Sequence, residues 1–535
     1  MAVTASGEAT LAPATKPVPA REKRTPLGIL GPSLGVAMVL LAPLVFLVVE
    51  ATGAGAGDVA HLIWRQLTAS LLWNTVRLMV VVTLLSAAIG TSTAWCVERT
   101  DLPGRRVWAV LVVIPFAIPD FVVSFGWASL WSWIQGFRGA VVVMTLAVYP
   151  LVYLPVSAAL RSADPTLEEV SRSLGVGRLR TFVRVTLGQA RGAIFGGCVL
   201  VALVILAEYG AFEILSYQTF TTEIFTEFNV FQLPTACALS LVLVIMSIVV
   251  LGGEVAARGR GRVVRTASFA QRIVAPKRLG AAKIPVLIGF SILVGLALGV
   301  PIASSIYWMI EGGSSSVTGL TGVSILDAGW HTAAYSAVAA ALATSMALPV
   351  AVLAVRHTSR LSQFLERSTY LVLAMPGVVI AFALGYFSER YANGFAYQSP
   401  PMLVLAYAVL FFPLALVGVR ASVAYFPATF EEVARSLGRK RLEVFKRVTL
   451  PLVGPGIAAA FSLVFLAAVT ELTATLILRP TGTETLATQF WSYEQNLAYG
   501  QAAPFALVMI LVAAVPSYVV GRYFDRLPSR ASVQT

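Results

Sequence analysis

Charge is scarce in this chain. Of its 535 residues, 12% are Asp, Glu, Lys or Arg and 57% are hydrophobic, with a mean hydropathy of +0.81. A soluble globular chain carries about 25% charged residues, so water is excluded as the main solvent. Cysteine is also rare: Cys96, Cys198 and Cys237 lie in separate apolar segments without CxxC spacing. That excludes a disulfide framework or a thiolate metal site and leaves three small buried hydrophobes. His61, His331 and His357 are scattered and form no metal constellation. No GxxxxGK[ST] phosphate loop occurs, and no soluble stretch is long enough for an ATPase, so the chain cannot hydrolyse ATP alone. Strand-type alternation is missing, which excludes a β-barrel. A membrane enzyme would need His, Asp or Ser clustered at one interface, and none is found.

What is present is apolar sequence in blocks of about 20 residues or more, the length that crosses roughly 30 Å of hydrocarbon as helix. The fold class expected is an all-α polytopic membrane protein with about twelve spans. In the first half these are 27–49, 70–97, 107–133, 139–161, 189–211 and 234–256; in the second, 284–310, 329–355, 366–388, 400–422, 454–476 and 504–524. The net charge of +13 is a topology signal rather than a sign of nucleic-acid binding. Only Arg65, Arg138, Arg390 and Arg479 fall in segments placed outside, with Arg77 inside a span; almost all the other basic residues lie in alternate loops, as the positive-inside rule requires. Both termini are therefore expected in the cytoplasm. Residues 27–49 are too long for a signal-peptide core and read as an uncleaved span.

The same sentence is written twice. Residues 168–187 read EEVSRSLGVGRLRTFVRVTL and residues 431–450 read EEVARSLGRKRLEVFKRVTL, with 14 of 20 positions identical. The offset from Glu168 to Glu431 is 263 residues, close to half the chain, so the protein is a duplication. Glu208 matches Glu471 at that offset, as does Tyr149-Pro150 with Phe412-Pro413. Upstream, Asn74-Thr75 matches His331-Thr332 at 257, which a six-residue indel explains. The domains expected are a disordered tail 1–26, a first repeat 27–256 with its charged loop 162–188, a basic linker 257–283, a second repeat 284–526 with its loop 424–453, and a tail 527–535. Six spans per repeat make the halves parallel, related by a pseudo-two-fold axis along the membrane normal. The linker holds eight basic residues and no acidic one; it reads as a tether, or as a site for anionic headgroups.

In each repeated loop, acidic residues open a short helix at the positive end of its dipole. Apolar residues four apart (Val170 and Leu174; Val433 and Leu437) share one face, and Gly175 or Gly438 follows as a natural C-cap. Such a helix is a compact knob, suited to a groove in a partner and to transmitting rigid-body motion. The motif resembles the EAA loop of permease subunits of ATP-binding-cassette importers, departing at the Ala positions and keeping the glycine. The resemblance covers nearly the whole chain from Leu27 and implies two fused permease units of the type I importer fold. It also implies that Glu168, Glu169, Arg172, Ser173 and Gly175 dock one copy of an ATPase subunit, and Glu431, Glu432, Arg435, Ser436 and Gly438 a second. ATP and Mg would then sit on those partners, with no cofactor on this chain, and substrate would come from an extracytoplasmic binding protein. The stretches 98–106, 219–225 and 478–491 look like the ferric-iron branch, although thiamine, phosphonate and polyamine importers have similar permeases. An ion-coupled secondary transporter is the competing class.

Intramembrane carboxylates are functional candidates by default. Asp120 follows Pro115 and Pro119, about 18 Å along a straight helix from Trp108, near the midplane. It either faces the pathway, or caps backbone groups freed by the prolines or pairs locally. Gly377 occupies the matching place, so any role is one-sided. Glu208 and Glu471 fall near the outer end of their spans, where they either gate the pathway across the pseudo-two-fold or bond within their own bundles. Tyr209 and Glu213 are neighbours of interest.

Overall fold

A computed structural model describes residues 27–53, 65–258, 277–312, 322–357, 359–391, 396–426 and 429–526. The expected tails 1–26 and 527–535, and linker residues 259–276, lie outside these. The described chain is helical, its only β feature being an isolated bridge between Thr100 and Lys277. Eight helices are long and apolar enough to cross a membrane, and up to eleven if each bent pair counts as one span. The final helix, Tyr499–Arg526, adds the apolar stretch Tyr499–Ala513.

Three expected spans are not straight. The third breaks between Arg105–Ala117 and Asp120–Ala128 with a 91° bend, and the ninth between Arg360–Ala374 and Gly377–Tyr391 with one of 100°. Pro119 and Pro376 stand at these breaks, where a proline cannot donate the next helical bond and disfavours helical backbone just before it. The tenth bends by 56° between Pro400–Leu410 and Phe412–Tyr425.

Each half is built on the same three-helix core. Gln66–Arg99 packs on Pro150–Ser162 and Leu187–Ala207; Gly322–Arg356 packs on Phe412–Tyr425 and Leu450–Val469. Without a hydrophobic driving force inside lipid, helices associate by close backbone approach at small residues. A Cβ on Gly90 would lie 2.9 Å from the Tyr149 carbonyl oxygen, and one on Gly418 would lie 2.8 Å from Ala460 Cβ. The first helices change partners: Leu27–Gly53 packs against Gly322–Arg356 and Gly377–Tyr391 of the other half, and Val300–Glu311 packs against Asp120–Ala128. Gly126 permits the second crossing, since a Cβ there would stand 2.6 Å from Pro301 Cα. Apolar side chains such as Leu84 and Val249, 65% and 66% exposed, cover the outside of long helices, as bilayer contact demands.

After the fifth span of each half the chain does not run out as a loop. It folds into two short buried helices, Gly210–Ile214 and Phe220–Asn229, matched by Thr473–Leu478 and Leu486–Gln495. The stretches 219–225 and 478–491 lie in these segments, and Thr219 with Thr222, and Thr485 with Thr488, close reciprocal capping boxes at the two longer helices. The repeat extends to tertiary bonds: Thr75 Oγ1 accepts from the Phe220 N–H at 3.3 Å and Thr332 Oγ1 from the Leu486 N–H at 2.9 Å.

Candidate coupling knobs and inter-half site

The two repeated loops fold alike. Thr166–Ser173 and Thr429–Ser436 are eight-residue helices. Each ends in a paired-carbonyl cap around a left-handed glycine: Gly175 at φ +77° and Gly438 at φ +81°. Gly175 and Val176 donate to Arg172 and Ser171 at 3.0 and 3.1 Å, and Gly438 and Arg439 donate to Arg435 and Ala434 at 3.0 and 3.3 Å. This is the geometry that satisfies the last helical carbonyls without a Cβ penalty. Leu174 and Leu437, both 76% exposed, stand on the outward face with Val170 and Val433. Glu169 and Arg172 are exposed on the first helix, and Glu432 and Arg435 on the second. Ser173 and Ser436 donate to their own helices, to Val170 and Val433 carbonyls at 2.9 and 2.7 Å.

Glu168 and Glu431 point the other way, into the protein. Each accepts from a threonine in a π-helical turn at the head of the fifth span: Thr186 at 2.8 Å and Thr449 at 3.2 Å. Burial pushes the Glu168 carboxyl up, but hydrogen bonds from Lys277 and Thr186 and the charges of Lys277 and Arg99 outweigh it and hold the group below its usual value. A depressed carboxylate stabilises the fold above its unfolded pKa and loses that contribution as pH falls through the folded value. A nitroxide on Leu174→Cys in a chain without native cysteines should therefore keep constant mobility from about pH 8 to about pH 5. It should loosen below about pH 4, where glutamate protonates. Loosening at neutral pH would contradict this assignment.

At the other end of the fifth spans, acidic groups converge between the halves. Asp120 opens the helix after the 91° bend, so the straight-helix distance from Trp108 does not apply. Among the described residues its carboxyl makes no hydrogen bond to the backbone. Glu208 and Glu471 stand half-buried where the fifth spans give way to the short helices that follow. Each caps the next helix, accepting from Ala211 N–H at 2.8 Å and Ala474 N–H at 2.9 Å. Asp120 and Glu471 are the charged neighbours of Glu208. Gly377, at the position matching Asp120, leaves room for Glu471, whose Oε1 would lie 3.2 Å from a Cβ there. All three carboxylates are half-buried where the halves meet. Gly210 closes that seam, where a Cβ would meet Leu472 of the other half at 2.8 Å and Phe121 at 3.1 Å.

Tyr209 is buried against Phe225 and against Trp491 of the second half, with ring centroids 4.3 and 5.7 Å apart. Glu213 faces a carboxylate the sequence reading missed, the buried Glu494. Its signal was an acid set among Phe490, Trp491 and Tyr493. No group of three or more His, Cys, Asp or Glu side chains among the described residues is arranged to hold a metal ion.

Two copies of one helical unit, each with the same exposed knob and joined at an acidic seam, define a duplicated membrane permease. The chain belongs to the family described as binding-protein-dependent transport system inner membrane component, whose model matches residues 86–253 and again 346–533. It is a multi-pass permease of the ATP-binding-cassette importer class. It is 38% identical over 490 residues, 91% of this chain and 96% of the relative, to the Fe(3+)-transport system permease protein FbpB 2 of Haemophilus influenzae. To the ferric transport system permease protein FbpB of Actinobacillus pleuropneumoniae it is 22% identical, over 81% of this chain and 67% of that one. To the sulfate transport system permease protein CysT of Escherichia coli it is 29% identical, over 41% and 86%.

Proposed function

We propose that this permease carries ferric iron into the cytoplasm, taking it from an extracytoplasmic binding protein and driven by two copies of a separate ATPase subunit. The paired knobs carry the reading: one chain presents the same capped helix twice, each with an apolar outward face. In this reading Glu169, Arg172, Glu432 and Arg435 rim the docking surfaces, and Gly175 and Gly438 hold them in shape. Ser173 and Ser436 act from within the knobs. ATP and Mg belong to the ATPase, this chain holds no cofactor, and both termini lie on the cytoplasmic side of the inner membrane. The names of the relatives support iron as cargo, and so does a seam lined by Asp120, Glu208 and Glu471, which suits a hard cation better than an oxyanion. Pull-down of the intact chain from detergent should recover an ATPase with a phosphate loop. A folded, monodisperse chain that recovers none would contradict the reading.

Glu208 and Glu471 separate cap from pathway. Glutamine keeps the oxygen that accepts from Ala211 or Ala474 and removes only the charge, so Glu208→Gln and Glu471→Gln should insert and fold normally. If the pair lines the cargo route, the double substitution should reduce ferric uptake by other than the product of the single effects, because the two sites share one space with Asp120. Alanine, by contrast, removes a cap worth about 0.5–2 kcal/mol and should lower thermal stability. Normal uptake in the double Gln variant would leave these residues with the capping role and Asp120 as the better pathway group.

A further inference from the structure

Among the described residues both halves mount the repeated helix with matched groups but with different cations on the buried glutamate: Glu431 pairs with Arg356 at 3.7 Å and with Arg435, whereas Glu168 pairs with Lys277. Arg99 and Arg356, equivalent at the ends of the second spans, donate to the carbonyls of Ala163 and Phe426 at 3.4 and 2.8 Å. Thr186 and Thr449 hold Oε1 of Glu168 and Glu431. The second carboxylate oxygen differs. Oε2 of Glu431 takes Arg435 of its own helix at 3.2 Å, whereas Oε2 of Glu168 takes Lys277, from the segment joining the halves, at 2.8 Å.

Lys277 is itself pinned. Its N–H donates to the Arg99 carbonyl at 2.9 Å and its carbonyl accepts from the Asp101 N–H at 3.1 Å. The Asp101 carboxylate accepts from the Leu279 N–H at 2.7 Å and pairs with Lys283 at 2.9 Å. The position matching Asp101 is Thr358, which carries no charge. The strap runs directly into Lys283–Val294, whose continuation Val300–Glu311 packs on Asp120–Ala128. One short stretch thus touches the first coupling mount and leads to a helix that packs on Asp120–Ala128.

We propose that residues 277–283 are a working part of the first coupling mount: Lys277 positions Glu168 and, through it, the Thr166–Ser173 helix, so the chain presents two unequal knobs to its ATPases. The word ATPase rests on the docking reading above; the inequality of the knobs does not. Lys277 is a positioning residue, and the segment that joins the halves does more than tether them.

The test uses the full chain in lipid nanodiscs, with native cysteines replaced and a nitroxide at Leu174→Cys or at Leu437→Cys. Lys277→Met should raise mobility at position 174, shifting the bound-to-released equilibrium of the first knob roughly tenfold, the scale of a lost charge-assisted hydrogen bond. Mobility at position 437 should not change. Lys277→Arg should restore the wild-type spectrum, which a merely space-filling role would not require. Arg356→Met should do the converse, loosening position 437 alone. An unchanged spectrum at 174 in Lys277→Met, or equal loosening at both positions, would overturn the proposal. With ATPase and binding protein added, Lys277→Met should lower uptake per ATP hydrolysed, and Lys277→Arg should not. Failure of the wild-type chain to bind any ATPase would sink the docking reading, while the nitroxide result would still judge the strap.

Discussion

Valine at both Gly175 and Gly438 is expected to abolish most binding-protein-stimulated ATP hydrolysis and uptake while the chain still inserts and folds. Both glycines sit at left-handed φ, +77° and +81°, and a Cβ at either would meet nothing within 4 Å. The Cβ itself therefore meets no neighbour, and the strain argued here is that of the backbone. A β-branched residue in that region costs about 1–3 kcal/mol, enough to unwind the cap and swing Leu174 or Leu437 away from its place. Asparagine, which tolerates the left-handed region, should retain most activity, and alanine should fall between. Each single valine should impair its own knob and leave the other able to bind. A double valine variant with normal stimulated hydrolysis would show that the caps do not hold the coupling geometry.

The second large effect is expected at Gly210, where the two halves touch. A Cβ there would press on Leu472 Cδ2 at 2.8 Å and on Phe121 Cβ at 3.1 Å. The leucine tip can move and the phenylalanine Cβ cannot, so Gly210→Ala should be tolerated in part and Gly210→Val should wedge the seam. Overpacking of this kind costs about 1–3 kcal/mol, and here it falls on a contact between the two halves. Uptake should drop sharply, with a smaller loss of thermal stability. Leu472→Ala should rescue Gly210→Val, giving an interaction energy well outside additivity. Absence of rescue, with uptake lost only in proportion to folded protein, would place the damage in general packing.

Much of this was legible in the sequence, because duplication and hydropathy leave direct marks. The twenty-residue echo marked both short loop helices, and the glycines that end them carry the left-handed backbone expected of a C-cap. Glu208 and Glu471 were found as a symmetric pair by offset alone, and the structure brings them into each other's field. Hydropathy could not show direction: the two arms of a bent span are equally apolar, so 107–133 read as one straight helix although Pro119 ends one arm and a 91° turn follows. Short segments such as Gly210–Ile214 and Thr473–Leu478 fall below the length that signals a span, so hydropathy did not separate them from the ends of the fifth spans. The exchange of first helices between halves depends on close approaches such as Gly126 with Pro301, which no local pattern encodes. Lys277 looked like one more base in a basic tether; only its bond to Glu168 gives it a separate place.

Reconstitution decides whether this permease receives its energy from ATPases docked on the two knobs. The purified chain, its ATPase subunit and a ferric-loaded binding protein are placed in proteoliposomes, and uptake of labelled ferric iron is followed with and without ATP. Uptake should require all three proteins and ATP, and should vanish when both knobs carry valine at Gly175 and Gly438. Uptake by the chain alone, driven by a proton or sodium gradient without ATP, would contradict it.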